Sequence, residues 1–311
     1  MRRLAPLLLV VGSGLLMALA LPLVVPWISL RQLDPAGHLE VVAWVALAPL
    51  LLALERARSA RGAFTLGLVA GLAYFFAAIH WVSHAMTAFG GLPFAVAFLG
   101  LTLLVGFMAF HWGLAAAATW ALRTRLGWPL ALAAPPAFTA GELLRNYLFT
   151  GFPWGNLGYT QARTLPVAQL AALTGVYGIA FLVVLVNAAL ADALSARLAG
   201  RPLPRRPLAA AAAALLLTTA GGAFRLAALR RELAAAPVLT VALVQPNLDQ
   251  GQKNRARDHV AYVLDRLVPL TQQADREGAD LVAWPEAAFP AYLRPGTDRS
   301  GATRKLEFST R

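Results

Sequence analysis

Long apolar runs separated by short, arginine-containing connections dominate the chain up to residue 236. A helix needs roughly 20 mostly apolar residues to cross a bilayer. Seven segments approach or exceed that length: about Leu4–Trp27, Leu39–Leu54, Ala63–Val82, Leu92–Leu122, Trp128–Phe149, Val167–Leu194 and Pro207–Phe224. The second is short, and the fourth and sixth could tilt or extend past the bilayer. The pattern predicts a polytopic α-helical membrane domain of about seven spans.

The first run has a second interpretation. Arg2 and Arg3, the apolar run after them and the sequence ALA at 18–20 also resemble a secretory signal peptide. Because the apolar run continues past that cleavage site, we favour a membrane span.

The pattern changes after residue 236. VLTVALVQPN at 238–247 and DLVAW at 280–284 are typical of short buried strands. Between them, Arg255–Ala274 carries apolar residues on one helical face. Strand, helix and strand in this order indicate the start of an α/β domain over residues 237–311, after a membrane domain over 1–236. With two convincing strands and a polar last stretch, we expect this domain to be incomplete.

Composition supports the membrane assignment. The chain is 59% hydrophobic and 14% charged, whereas soluble domains average about 45–50% apolar and about 25% charged residues. The net charge of +12 does not indicate nucleic-acid binding, because the arginines lie in short loops between apolar segments. The chain has no cysteine, so its 311 residues supply neither a disulfide nor a thiol nucleophile.

The arginines predict an orientation. One set of alternate connections contains only Arg31 and Arg163. The other set contains eleven: Arg2, Arg3, Arg56, Arg58, Arg61, Arg123, Arg125, Arg197, Arg201, Arg205 and Arg206. Positive charge concentrates on the cytoplasmic side of membrane proteins. We therefore expect a cytoplasmic N-terminus and a periplasmic C-terminal domain.

Glu286 is the candidate catalytic residue. It follows the second predicted strand in LVAWPEAAFP, residues 281–290. Ligands of α/β sheets bind beyond the carboxyl ends of the strands, and apolar neighbours would suit a general base. The alternative is an ordinary loop acid.

Four further residues are candidates for substrate or lipid contact. Glu142 and Arg145 are three positions apart inside a predicted span, where charges are usually paired or functional. They form either an internal ion pair or a pair that positions lipid headgroups. Phe152 and Trp154, in GFPWG at 151–155, belong either to an interfacial aromatic belt or to the lipid entrance of an active site. We predict no metal and no cofactor.

Several motifs resemble one enzyme family. VALVQPN and LVAWPEAAFP are similar to the opening of the nitrilase, or carbon–nitrogen hydrolase, superfamily, an α-β-β-α sandwich. LFTGFPWGNLGYTQ at 148–161 and the preceding apolar segments resemble apolipoprotein N-acyltransferases of the bacterial inner membrane. The resemblance covers about residues 4–293, and the specific LFTGFPWGNLGYTQ block carries more weight than the W-P-E match alone.

The resemblance implies a Glu–Lys–Cys triad in which Glu286 is the base. Lys305 does not match the triad lysine, and no cysteine is present. We therefore expect a C-terminally truncated, inactive member of the family. The family reaction transfers an acyl chain from a phospholipid, through a cysteine thioester, to the N-terminal amine of diacylglyceryl-cysteine in apolipoproteins. The alternative is a non-catalytic membrane scaffold or lipid-binding remnant; a transporter is less favoured because related, broken half-repeats are not evident.

The arginine distribution makes a testable prediction about topology. A reporter that is active only in the periplasm should be active when fused after Ala236 and silent when fused at Arg58 or Arg201, because both arginines lie in the basic connections. Reporter activity in cells is the measurement. The reverse pattern would overturn the predicted orientation.

Overall fold

The structure is a computed structural model that describes residues 4–21, 39–247 and 259–285. The chain divides into two compact units, Met1–Ala234 and Ala235–Arg311.

The first unit is α-helical. Its helices, in chain order, are α1 (Leu4–Leu19), α2 (Ala43–Ala46), α3 (Ala48–Glu55), α4 (Ala60–Ile79), α5 (Trp81–Ala88), α6 (Phe94–Leu126), α7 (Leu130–Tyr147), α8 (Leu165–Ala168), α9 (Ala171–Leu198) and α10 (Arg205–Ala235). Short 3-10 turns occupy Leu39–Val42, Leu148–Thr150 and Leu157–Gln161. Gly175 interrupts α9 with a non-helical φ of 63°.

Within the described residues, four helices are long and apolar enough to cross a membrane: α4, α6, α9 and α10. They coincide with four of the seven predicted spans, so the unit is a helical membrane domain. The other three spans take shorter forms. The first begins as the apolar α1 and runs into residues outside the described part. Leu39–Leu54 is divided between a 3-10 turn, α2 and α3. Trp128–Phe149 forms the 18-residue α7, whose prolines and charges lower its mean hydropathy.

Six helices of this unit pack in a closed ring. α1 packs on α4, α4 on α6, α6 on α7, α7 on α9, α9 on α3, and α3 back on α1. Large aromatic side chains fill the centre: Tyr74 stacks on Trp112 with ring centroids 4.9 Å apart, and Phe75 and Phe138 meet Trp112 edge-on. Each end of the ring therefore holds the loops that connect neighbouring helices.

Asn187 of α9 provides hydrogen-bond partners for the backbone at the break between α2 and α3. Its Oδ1 accepts hydrogen bonds from the amides of Leu47 and Ala48, at 2.8 and 3.0 Å. Its Nδ2 donates to the carbonyls of Ala43 and Val183, at 2.8 and 2.9 Å. Both lone pairs and both N–H groups of the amide are thus used. Pro49, in the first turn of α3, has no N–H and favours the break.

Asp192 lies one turn further along α9 and caps α7 from outside that helix. Its carboxylate accepts hydrogen bonds from the amides of Leu130 and Ala131, at 3.1 and 3.0 Å. Arg123 bridges it to Glu55, with nitrogen–oxygen distances of 3.5 Å to Asp192 and 3.0 Å to Glu55. These contacts join the ends of α3, α6, α7 and α9 at the end of the ring that carries the arginine-rich connections.

The second unit contains a strand, a helix and a second strand in the predicted order. β1 (Val241–Leu243) and β2 (Leu281–Ala283) pair in parallel, with Val241 opposite Leu281. Between them lies α11 (His259–Arg276), which ends two residues beyond the predicted Ala274; residues 255–258 of the predicted helix lie outside the described residues. Val244, Val263 and Leu267 form a small core. Parallel strands joined by a helix are typical of α/β domains.

Asn187→Leu should destabilise the helical unit strongly. The change removes four hydrogen bonds and leaves backbone groups of the α2–α3 break unpaired in an apolar interior. An unsatisfied buried polar group costs about 1–3 kcal/mol, so we expect a loss of about 2–4 kcal/mol. Denaturant unfolding in detergent micelles measures it.

Thr119→Val is the matched control for this change. Thr119 is also fully buried, but its hydroxyl donates only to the Ala115 carbonyl of its own helix. Loss of this hydroxyl should therefore lower the free energy of unfolding clearly less than Asn187→Leu does. Equal losses for the two variants would contradict a special role for Asn187.

Candidate functional site

The predicted pair of charges lies inside the helical unit. Glu142 and Arg145 face inward from α7, with 2% and 0% of their surfaces exposed. Arg145 Nη2 lies 4.0 Å from Glu142 Oε1, which is the outer limit of an ion pair. The internal ion pair is therefore present, but it is long. The stronger contacts of both side chains are made to a neighbouring loop.

That loop, residues 151–157, is held by both charges. Arg145 Nη1 donates hydrogen bonds to the carbonyls of Phe152 and Trp154, at 3.1 and 2.7 Å. Its Nη2 donates to the side-chain oxygen of Asn156. Glu142 Oε1 accepts from the Leu157 amide at 2.6 Å. The guanidinium also lies over the Phe75 ring, 5.1 Å from its centroid. Glu142 and Arg145 together form a clamp, which we call the loop clamp.

The backbone that enters the loop adopts an unusual conformation. Phe149, Thr150 and Gly151 follow one another with φ values of 51°, 79° and 75°. Positive φ is strained for phenylalanine and threonine. A Cβ at Gly151 would lie 1.9 Å from the Asn146 carbonyl oxygen, so only glycine fits there. The loop clamp thus acts on a turn whose shape does not come from local preference alone.

Three further residues of this site, Tyr74, Asn146 and Tyr177, were not predicted from the sequence. Tyr74 of α4 donates its hydroxyl hydrogen to the Gly155 carbonyl at 3.0 Å. Asn146 Nδ2 donates to the Tyr177 hydroxyl at 2.9 Å and contacts Asn156 Oδ1 at 3.3 Å. Tyr74 is 81 residues away from its loop partner. The position of Asn146 next to Arg145 was the one available signal.

Trp154 lies on the outer side of the clamped loop, whereas Phe152 is partly buried and packs against the core of the unit. Trp154 is 51% exposed, and its ring centroid lies 5.6 Å from Phe152 and 5.9 Å from Trp81, the first residue of α5. Phe149 is 87% exposed. We call these four aromatic side chains the aromatic rim. The rim presents apolar and amphipathic rings, which suit contact with lipid rather than acid–base chemistry.

The remaining predictions fall outside this site. Glu286 lies outside the described residues. Within the described ranges, no group of three or more His, Cys, Asp or Glu side chains is arranged to hold a metal ion, and this includes His80 and His84. The site that the structure brings together is therefore the loop clamp and the aromatic rim.

Comparison with known sequences assigns the chain to a family. Residues 13–189 match the sequence profile of the apolipoprotein N-acyltransferase N-terminal domain. The chain belongs to the apolipoprotein N-acyltransferase family. The matched range includes the loop clamp and the aromatic rim, so these features lie within the part of the chain that matches this profile.

Individual relatives agree with this assignment. An apolipoprotein N-acyltransferase of Geobacter metallireducens is 36% identical over 290 residues, which cover 92% of this chain and 52% of the relative. Those of Caulobacter vibrioides and Chromobacterium violaceum are each 33% identical, over 77% and 76% of this chain and 44% and 43% of their own lengths. The chain spans about half the length of the curated relatives it matches.

Arg145→Gln should release the 151–157 loop. Glutamine reaches fewer acceptors than the guanidinium fork, and Glu142 would be left without its cation. We expect amide hydrogen exchange of residues 152–157 to accelerate by at least about tenfold, since each buried charged hydrogen bond is worth about 1.5–3 kcal/mol. Hydrogen-exchange mass spectrometry in detergent measures the change.

Arg123→Gln is the control. Arg123 also bridges two carboxylates, but it does so at the other end of the ring. It should leave exchange in residues 152–157 unchanged. Unaltered loop exchange in Arg145→Gln would mean that the turn holds its shape without the clamp.

Proposed function

We propose that this chain is the membrane part and the first segment of the catalytic part of an apolipoprotein N-acyltransferase. The reaction would transfer an acyl chain from a phospholipid to the N-terminal amine of diacylglyceryl-cysteine in apolipoproteins. The observation that carries the proposal is the family match over residues 13–189, together with the aromatic rim that the loop clamp holds within that range.

The proposed membrane arrangement has seven spans in the bacterial inner membrane, with the N-terminus in the cytoplasm. Two observations support it. Trp81 contacts Trp154, so the loops after α4 and α7 share one end of the ring, as alternate connections should. Arg123, Glu55 and Asp192 join the opposite end, where the arginine-rich connections lie. The arginine-poor end would face the periplasm.

The aromatic rim is proposed to receive the phospholipid acyl donor. Trp154 and Phe149 are exposed rings at the end of membrane helices, where amphipathic aromatics bind at the headgroup level. Fixing the loop that carries Trp154 through the backbone carbonyls of Phe152 and Trp154 lowers the entropy that ligand binding must otherwise remove. The same side chains could hold a lipid without any reaction, which is the lipid-binding alternative.

The chemistry is proposed to begin at Glu286, in residues 237–311, which we interpret as the start of a nitrilase-like domain. Glu286 would take the proton of a cysteine thiol, and the thiolate would attack the phospholipid ester, releasing a lysophospholipid and leaving a thioester. The α-amine of the apolipoprotein would then attack the thioester and free the thiol. The 311 residues contain no cysteine, so no thioester can form on them.

A chimera tests the proposal. Residues 1–290 of this chain would be joined to the remaining C-terminal part of the Geobacter metallireducens relative. With phospholipid and a diacylglyceryl lipopeptide, the chimera should form an acyl-enzyme that mass spectrometry detects. Glu286→Gln keeps the shape of the side chain but removes its basicity, so acylation should fall by about 10²–10⁴. Thermal stability should change little.

Two controls accompany the chimera. Glu277→Gln changes an exposed acid at the end of α11 and should leave acylation unaffected. The 311-residue chain gives the baseline without acyl-enzyme. A folded chimera that forms no acyl-enzyme would contradict the proposed function, and normal acylation in Glu286→Gln would make that residue an ordinary loop acid.

A further inference from the structure

A groove on the first unit lies between α10 and the segment that joins α8 to α9. Its volume is about 390 Å³. Leucines form much of its surface, and two of them are strongly exposed: Leu173 at 83% and Leu217 at 74%. One cation, Arg225, also lines it. Neither the loop clamp nor the aromatic rim contributes a residue to this groove.

The geometry of the groove follows from one close helix contact. A Cβ at Gly222 would lie 1.8 Å from the Pro166 carbonyl oxygen. The backbones of α10 and α8 can approach this closely because position 222 has no side chain. Ala214 and Leu215 pack against the apolar cluster of Val167, Ile179 and Leu182. The groove lies beside these contacts.

Polarity changes along the groove. Leu217, Gly221 and Arg225 are spaced four residues apart and lie on one face of α10. Leu217 and Arg225 are separated by about 12 Å along the helix axis. A Cβ at Gly221 would meet nothing within 4 Å, so the surface between them is open. The groove is thus apolar at one end and cationic at the other.

Arg225 lies at the end of the apolar part of α10, directly after Phe224, where the predicted span ends. It is exposed, and among the described residues no acid lies within ion-pair distance of it. A cation in this position meets the phosphate layer of a bilayer. The leucines below it meet acyl chains, because α10 is one of the helices able to cross the membrane.

We propose that this groove binds one glycerophospholipid, with its phosphate against Arg225 and one acyl chain along Gly221, Leu217 and Leu173. The cation at one end of the groove is complementary to the phosphate of such a molecule, and the apolar surface below the cation is complementary to its acyl chain. A volume of about 390 Å³ is at the lower end of ligand sites, which suits a single chain rather than a whole lipid. The proposal does not depend on acyl transfer, since binding requires no reaction.

Photo-crosslinking in nanodiscs tests the site on the 311-residue chain. The probe is phosphatidylglycerol with a diazirine at the end of one acyl chain, diluted into phosphatidylcholine. We expect peptide mapping to find crosslinks concentrated at Leu217 and Leu173. Excess inorganic phosphate should not reduce them, because the acyl chain contributes to binding. Displacement by phosphate would instead show an anion site without a lipid.

Two pairs of variants separate the site from general lipid contact. Arg225→Gln should lower crosslinking at Leu217 about fivefold, whereas Arg230→Gln, on an exposed position of the same helix outside the groove, should not. Gly221→Leu should fill the groove and abolish the crosslink. Gly106→Leu is the matched control, because that glycine on α6 also has open space around it but lies elsewhere.

The proposal fails if crosslinks spread evenly over the exposed helix faces, or if Arg225→Gln and Gly221→Leu leave them unchanged. A melting curve of each variant shows whether it folds. If Gly221→Leu does not fold, the crosslink map and the Arg225→Gln comparison still decide the question.

Discussion

Satisfying the polar backbone in an apolar interior is the constraint on which this helical unit depends. In hydrocarbon an unpaired N–H or C=O group has no water to bind, so irregular backbone persists only where protein groups pair with it. Three buried or partly buried side chains do this here. Asn187 pairs the break between α2 and α3, Asp192 pairs the first amides of α7, and Arg145 pairs the carbonyls of the 151–157 loop. Two of the three come from α9, which makes that helix the organising element.

The two ends of the ring differ as a result. At one end Arg123 connects Glu55 and Asp192, so each carboxylate there has a cation as its partner, close to the arginine-rich connections. At the other end the clamped loop carries its charges underneath and its rings outside, with Arg145 at 0% and Trp154 at 51% exposure. An end of this kind presents an apolar surface without exposing the ion pair below it. Flexible rings would lose more entropy on contact.

The sequence predicted those elements that depend on long uninterrupted patterns. The spans containing α4, α6, α9 and α10 were identified because each has a long apolar run, close to or above the roughly 20 residues that cross a bilayer. The break within Leu39–Leu54 was missed because it depends on Asn187, some 140 residues away. The ion pair of Glu142 and Arg145 was suggested by its spacing. The contacts of this pair to the 151–157 loop could not be predicted from the spacing. They require positive φ values at Phe149 and Thr150, which neither residue type favours.

The loop clamp also explains why this position suits arginine rather than lysine. Burying a charged pair costs several kcal/mol per ion, and at 4.0 Å the attraction to Glu142 alone offsets little of that cost. What compensates is a planar fork whose two terminal nitrogens reach the carbonyls of Phe152 and Trp154 and the side chain of Asn156 together. A lysine ammonium is a single point of donation on a flexible stem and could not span these acceptors with the same geometry. Glu142 then serves two purposes, since one of its oxygens neutralises the cation and also accepts the Leu157 amide where the loop ends. The charge inside the bundle thus fixes the backbone that carries Phe152 and Trp154.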